Sequence, residues 1–215
     1  MESPKPKREL SEAGEREWEL KEMAERHAKE LDAQQGLNEW EMEERTGEDH
    51  LTRLKNRKFF ENELERSLKA IHAGGEGHHR SGGEPLKELS LLFVDLNKFK
   101  QVNDTLGHAV GDEVLVKVAG VLTASVREAD VVARYGGDEF CILLPRANEH
   151  GAAIIADKIH ANLGKDPVLG KFGVTASIGV RSVDASNVVD AKTLLEQADA
   201  AMYNAKQKGK EESKI

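Results

Sequence analysis

The chain has 215 residues, 33% of them charged and 39% hydrophobic, and carries a formal net charge of -8. That length holds one ordinary domain with a sizeable core plus an appendage, and is too short for two large domains. The acidic balance, with no long basic block, argues against a nucleic-acid polymer or an anionic membrane surface as partner, and no run approaches the ~20 apolar residues of a membrane span.

The opening MESPKPKREL lacks the apolar stretch of a secretory signal. Cys141 is the single cysteine, so no intrachain disulfide can form, and a reducing, cytoplasmic setting is expected. Its place in an apolar strand suggests core packing.

From Glu9 to about Thr46 the chain is rich in Glu, Lys, Arg, Ala and Gln, which is helix-forming chemistry with too little apolar area for its own core. A 3,4 spacing runs through Leu10, Ala13, Glu17, Leu20, Ala24, His27 and Leu31, but only part of it is apolar, and Trp18, Met23, Leu37 and Trp40 lie off it. Residues 1–46 therefore read as a charged helical extension, either solvated or a dimerising coiled coil.

The compact domain is expected over 47–212. Leu51, Leu54, Phe59, Phe60, Leu64 and Leu68 follow a helical rhythm and predict its first helix. HAGGEGHHRSGGEPLKE then reads as a surface loop, in which His78 and His79 are solvated rather than metal ligands. LSLLFVDL at 89–96 is a buried-type strand ending in a carboxylate, followed by helices near 98–106 and from Ala109 to Val126. VVARYGGDEFCILLP predicts a hairpin turning at Gly136 and Gly137 through positive φ angles, which places Asp138 and Glu139 at its tip. A helix at 148–163, a strand in VTASIGVRSV and an amphipathic helix at 190–208 complete the pattern. The expected fold is an α/β sandwich whose mostly antiparallel sheet carries helices.

Asp95, Asp138 and Glu139 converge if the hairpin pairs beside the 89–96 strand. Two carboxylates about 4 Å apart repel by roughly 4 kcal/mol at an effective dielectric of 20, so such a site wants a cation or full solvation. Oxygen ligands favour Mg²⁺ or Mn²⁺ over zinc. By spacing alone, an acidic turn reads more readily as a solvated one.

The segments DHLTRLKNRKFF, FVDLNKFKQVNDTLGHAVGD, ARYGGDEF, TASIGV and DAAMYNAKQKGK, in this order over 49–210, resemble the diguanylate cyclases, whose GGDEF domain is named for the letters at 136–140. The resemblance implies a nucleotidyl-cyclase palm and the joining of two GTP molecules into cyclic di-GMP in bacterial signalling, with two pyrophosphates released. It implies that Asp95, the Leu96 carbonyl, Asp138 and Glu139 hold two Mg²⁺ ions, with Asp138 and Glu139 catalytic and Asp138 helping to remove the 3′-hydroxyl proton. Lys98, Phe99, Lys206 and Lys210 fall at phosphate-contacting positions, Asn103 and Asp112 at the guanine-reading pair, and His108 near the ribose. Arg127 and Asp130 match an RxxD site for inhibitory product. The family shares each active site between two domains, which implies a homodimer.

Three residues depart from the family pattern. Arg53 stands where glycine is frequent, Asn97 where a second aspartate is, and Lys210 where arginine is usual, which keeps the charge but loses the planar fork. The rival reading is a domain that only senses GTP or cyclic di-GMP. Intact Asp95, Asp138, Glu139 and Lys206 argue against it, because a receptor needs no metal site.

Overall fold

A computed structural model describes residues 21–31, 34, 42–43, 45–73 and 85–212, with the side chains of 209–212 excepted. The chain divides into two compact units, Met1–Arg45 and Thr46–Ile215. In the first, residues 21–31 form a helix (α1). Ala24, His27 and Leu31 of the 3,4 seam are exposed on it, as is Met23; the earlier seam positions, with Trp18, Leu37 and Trp40, lie outside the described residues. His78 and His79 lie outside them as well.

The second unit is built on five strands: β1 (Lys55–Asn56), β2 (Glu88–Asn97), β3 (Val131–Arg134), β4 (Glu139–Pro145) and β5 (Thr175–Asp184), in the order β1-β3-β4-β2-β5. The short β1–β3 pairing is parallel, and the β2–β4, β2–β5 and β3–β4 pairings are antiparallel. Among the described residues this unit has six helices: α2 (Arg57–His72), α3 (Phe99–Leu106), α4 (His108–Ser125), α5 (Glu149–Lys165), α6 (Pro167–Phe172) and α7 (Ala191–Glu212). No helix among the described residues is long and apolar enough to cross a membrane.

Side-chain alternation along the strands divides the core into two layers. Leu92, Val94 and Leu96 of β2, with Phe140, Ile142 and Leu144 of β4, face α3, α4, α5 and α6. Their neighbours Leu89, Leu91, Phe93, Cys141 and Leu143 face α2 and α7. Cys141 is fully buried, and burial raises its thiol well above the ordinary range, so it packs as an inert apolar group. The mixed sheet with helices on both faces is the sandwich expected from the sequence.

The first helix begins later than the helical rhythm implied. Asn56 caps it by accepting from the Phe59 amide, and Leu51 and Leu54 belong to the preceding turn. Leu54 packs in the layer opposite to Phe60 and Leu64, so its helical spacing from them is coincidental. Two elements escaped the sequence reading. Strand β1 has two residues, too few for any periodicity, whereas α6 carried a legible signal: Asp166 accepts from the Val168 and Leu169 amides, and Pro167 opens the helix.

Arg53 adopts φ 61°, a left-handed conformation that costs a side-chain-bearing residue about 1–2 kcal/mol. That accounts for glycine at this position in the resembling family. Arg53→Gly is expected to stabilise the domain by about 0.5–1 kcal/mol, after allowing for glycine's greater unfolded-state freedom, as an upward shift in urea midpoint. An unchanged or lower midpoint would count against strain at this residue.

Candidate active site

The acidic cluster forms where β2 and β4 end together. Leu96 donates its amide to the Asp138 carbonyl (3.2 Å), so the adjacent pair, Asp95 opposite Glu139, is of the non-hydrogen-bonded kind, in which side chains approach closely. By alternation Asp95 and Glu139 project on the α7 side of the sheet. There Lys206 of α7 reaches Asp95 Oδ1 at 2.5 Å, in a pair whose side chains are only 28% and 12% exposed. Asp138 occupies the hairpin turn and is half-buried.

The electrostatics are those of crowded negative charge. Burial, then the Asp95 charge, pushes the Asp138 carboxyl above its ordinary range; Lys206 and Arg134 oppose the shift. Glu139 is raised by burial first, then by Asp138, Asp95 and Asp199, again with Lys206 opposing. One ammonium group thus faces a gathering of carboxylates. A hard divalent cation suits this oxygen-only donor set.

The hairpin turns without the positive φ angles expected of Gly136 and Gly137, since neither is among the positive-φ glycines. The Glu139 carboxylate folds back over Gly136, so a β-carbon there would displace Oε2, the free end of that side chain, and sit 3.3 Å from Glu139 Cβ. Gly137 has open space around it. The turn is closed by Tyr135 and Gly136, whose amides both donate to the Glu139 carbonyl (2.8 and 3.1 Å).

Beside the cluster, Lys98 holds a left-handed conformation (φ 67°) and caps α3, which begins at Phe99. Helices α3 and α4 then fold back through Gly107 (φ 84°). This hairpin brings Asn103 against Gly111, where a β-carbon would overlap Asn103 Oδ1 and lie 3.0 Å from its Cγ. That Oδ1 is buried and has no protein partner, an acceptor left open beside Asp112, whose side chain is exposed. His108 is the exposed first residue of α4. Asn97 donates its side-chain amide to Thr175 Oγ1 (3.2 Å) and accepts from Ser177 Oγ (3.1 Å), tying the end of β2 to β5. Lys210 lies in α7, with its side chain outside the described atoms.

Arg127 and Asp130 close a small turn before β3. The Arg127 amide donates to Asp130 Oδ2 (2.8 Å) and the Asp130 amide to the Arg127 carbonyl (3.0 Å). Burial raises the Asp130 carboxyl, with the Arg127 amide and guanidinium opposing. The turn sits at the far end of the hairpin from the cluster. Val131 pairs with Leu143, four residues or roughly 13 Å along β4 from Glu139.

Two residues with large structural roles were not singled out in the sequence. Arg134 donates to the Gly137 carbonyl (2.9 Å) and pairs with Asp49 (3.1 Å), which in turn accepts from the Thr52 amide. The hairpin is thereby tied to the 46–54 turn. Both residues stood inside the quoted motifs, but nothing in their spacing said that they meet.

Comparison with known proteins bears on this geometry. Residues 46–212 match the family described as "Diguanylate cyclase, GGDEF domain". Diguanylate cyclase A of Treponema denticola is 36% identical over 177 residues, 81% of this chain and 45% of that protein. Diguanylate cyclase TpbB of Pseudomonas aeruginosa is 42% identical over 166 residues, 75% of this chain and 35% of that protein. The chain thus spans less than half the length of these relatives. Among solved structures, the isolated GGDEF domain of PA1120 (TpbB or YfiN) from P. aeruginosa superposes with a TM-score of 0.64 at 38% identity, covering 75% of this chain and 89% of that one. The coiled coil and GGDEF domain of DgcB from Caulobacter crescentus, in complex with c-di-GMP, gives 0.66 at 28% identity over 87% and 94%. With the acidic cluster at the joined ends of β2 and β4, the chain belongs to the diguanylate cyclase GGDEF domain family.

Proposed function

We propose that residues 47–212 form a diguanylate cyclase domain that condenses two GTP into cyclic di-GMP and two pyrophosphates. The observation that supports this most directly is the placing of Asp95, Asp138 and Glu139 with Lys206 at the joined ends of β2 and β4. When two Mg²⁺ ions are held by Asp95, the Leu96 carbonyl, Asp138 and Glu139, they neutralise triphosphate charge and polarise the α-phosphate.

The chain's own groups do the rest. Lys206, Lys210 and the amides opening α3 at Lys98 and Phe99 bind phosphate oxygens. Asn103 and Asp112 read guanine, the Asp112 carboxylate accepting from its ring and exocyclic N–H groups, a pairing that adenine cannot satisfy. His108 lies along the ribose. The 3′-oxygen of one GTP bonds to the α-phosphorus of the other, the bond to the β-phosphate oxygen breaks, and pyrophosphate leaves with the electron pair. Asp138 accepts the 3′ proton. Two such steps close the ring.

Because each domain brings one GTP, the reading requires a homodimer, with residues 1–46 raising the effective concentration of the second copy. GTP as substrate and a single thiol fit action in the cytoplasm. Arg127 and Asp130 form the product-inhibition site, where an arginine fork meets phosphate and stacks on guanine.

Incubation with GTP and Mg²⁺, followed by mass analysis of the nucleotides, is expected to yield cyclic di-GMP. Added product is expected to slow the parent chain and to leave Arg127→Ala unaffected. Absence of cyclic dinucleotide from the parent would favour a receptor, and equal inhibition of Arg127→Ala would remove the RxxD site.

A further inference from the structure

Tyr135 immediately precedes the glycine pair, and its main-chain amide donates to the Glu139 carbonyl (2.8 Å). Its side chain leaves the hairpin on the α7 and α2 side of the sheet, the side that also carries Glu139 and Asp95. The hydroxyl donates to Glu61 Oε1 of α2 at 2.8 Å. Arg57, one turn earlier, donates to the same oxygen at 2.8 Å and lays its guanidinium 4.5 Å over the tyrosine ring. Phe60 and Phe93 meet that ring edge-on, with centroids 6.3 and 5.5 Å away. Burial and the neighbouring Glu61 carboxylate raise the phenol above its ordinary range, so it remains a donor.

Three contacts of different kinds therefore fix one side chain, and the Arg57–Glu61 pair that supplies two of them is partly solvated, with Arg57 61% and Glu61 38% exposed. Such a pair adds little to global stability. What it adds is orientation, because the hairpin turn has few other side-chain ties. Arg134 binds it on the opposite side of the sheet through Gly137 and Asp49. The successive residues Arg134 and Tyr135 thus hold the turn from its two faces, and the tie to α2 is on the Glu139 side.

We propose that Tyr135, held by Glu61 and Arg57, is a positioning residue that sets Glu139 for divalent-cation binding, coupling the placement of α2 to the acidic cluster. The inference rests on the proposed metal-dependent reading of the site and deepens it. Its chain of action is short: the phenol fixes the Tyr135 backbone, the Tyr135 amide fixes the Glu139 carbonyl, and the Glu139 carboxylate is thereby held over Gly136.

The test measures Mn²⁺ binding by the loss of free-ion electron paramagnetic resonance signal, in the presence of a non-hydrolysable GTP analogue, so it needs no turnover. Tyr135→Phe keeps the ring packing and removes one hydrogen bond. It is expected to weaken Mn²⁺ affinity about 5-fold, equivalent to about 1 kcal/mol. Glu61→Leu is expected to do the same, the double variant to be no worse than either single one, and Glu61→Gln, which keeps the accepting oxygen, to recover most of the affinity. A purely structural role would lower the thermal midpoint while leaving Mn²⁺ affinity at the parent value, and that result overturns the proposal. Additive losses in the double variant overturn it too. If the parent chain bound no Mn²⁺ with the analogue, the proposed function would fail and take this inference with it, whereas binding by a parent that makes no product would sink only the cyclase reading.

Discussion

Asp138→Asn is expected to reduce cyclic di-GMP synthesis by about 10³-fold, a loss within the range for removing a general base, while making the metal-free protein more stable. The second effect follows from the direction of the carboxyl shifts. Asp138 and Glu139 are both raised above their ordinary values, by burial first and by neighbouring carboxylates next. A group raised on folding binds its proton more tightly in the folded chain. Its stabilising contribution is complete below the unfolded value and is lost as pH rises through the raised folded value. At neutral pH the cluster is therefore a source of strain that the amide relieves. Urea melts in EDTA are expected to show a higher midpoint for Asp138→Asn and a flatter dependence on pH above the ordinary carboxylate range. Mg²⁺ with a non-hydrolysable GTP analogue is expected to reverse the order, because ligand binding stabilises the parent more. Unaltered turnover in the variant would remove Asp138 from the catalytic role, and an unaltered EDTA midpoint would contradict the electrostatic reading.

The same carboxylates show how far the sequence could be read. Asp95 at a strand end and Asp138 with Glu139 at a turn were visible as a pattern, because strands and hairpins leave local marks in periodicity and glycine placement. Their meeting depends on β2 pairing with β4, a contact between residues over 40 positions apart that no local pattern encodes. The order of the elements made the pairing a reasonable expectation, and the β2–β4 register bears it out. The glycines were misjudged for a related reason. Gly-Gly suggested left-handed backbone, but neither glycine adopts it, and what lies against Gly136 is the Glu139 carboxylate, a neighbour that becomes apparent only once the turn is closed. Arg134 and Asp49, or Tyr135 and Glu61, are ordinary charged and polar residues in sequence. Their importance lies in where three separate segments cross. Conversely, Arg53 stood out as a departure before its left-handed φ gave the reason.

Gly179→Ala is expected to be among the most damaging single-methyl changes in the domain, although the residue lies in a strand with no polar role. A β-carbon at Gly179 would overlap the Ala198 carbonyl oxygen and the Met202 amide nitrogen of α7 and stand 2.9 Å from Met202 Cα. All three are backbone atoms, so no rotamer change makes room, and the helix itself must lift from the sheet. Leu194, Ala198 and Met202, all buried, would lose packing against β2 and β5 as it moved. Overpacking a rigid core costs about 1–3 kcal/mol, and the upper end is expected here because backbone meets backbone. The functional cost is separate and comes from the same displacement. Lys206 lies one turn beyond Met202 on α7, and its ammonium reaches Asp95 only while the helix sits directly on the sheet. Chains of Gly179→Ala that remain folded are therefore expected to show weakened GTP binding, as a higher KM with a smaller change in kcat, alongside a thermal midpoint lower by roughly 5–10 °C. Wild-type stability in this variant would show that α7 does not rest on Gly179. A normal KM in a destabilised chain would show that the helix can shift without moving Lys206 from the acidic cluster.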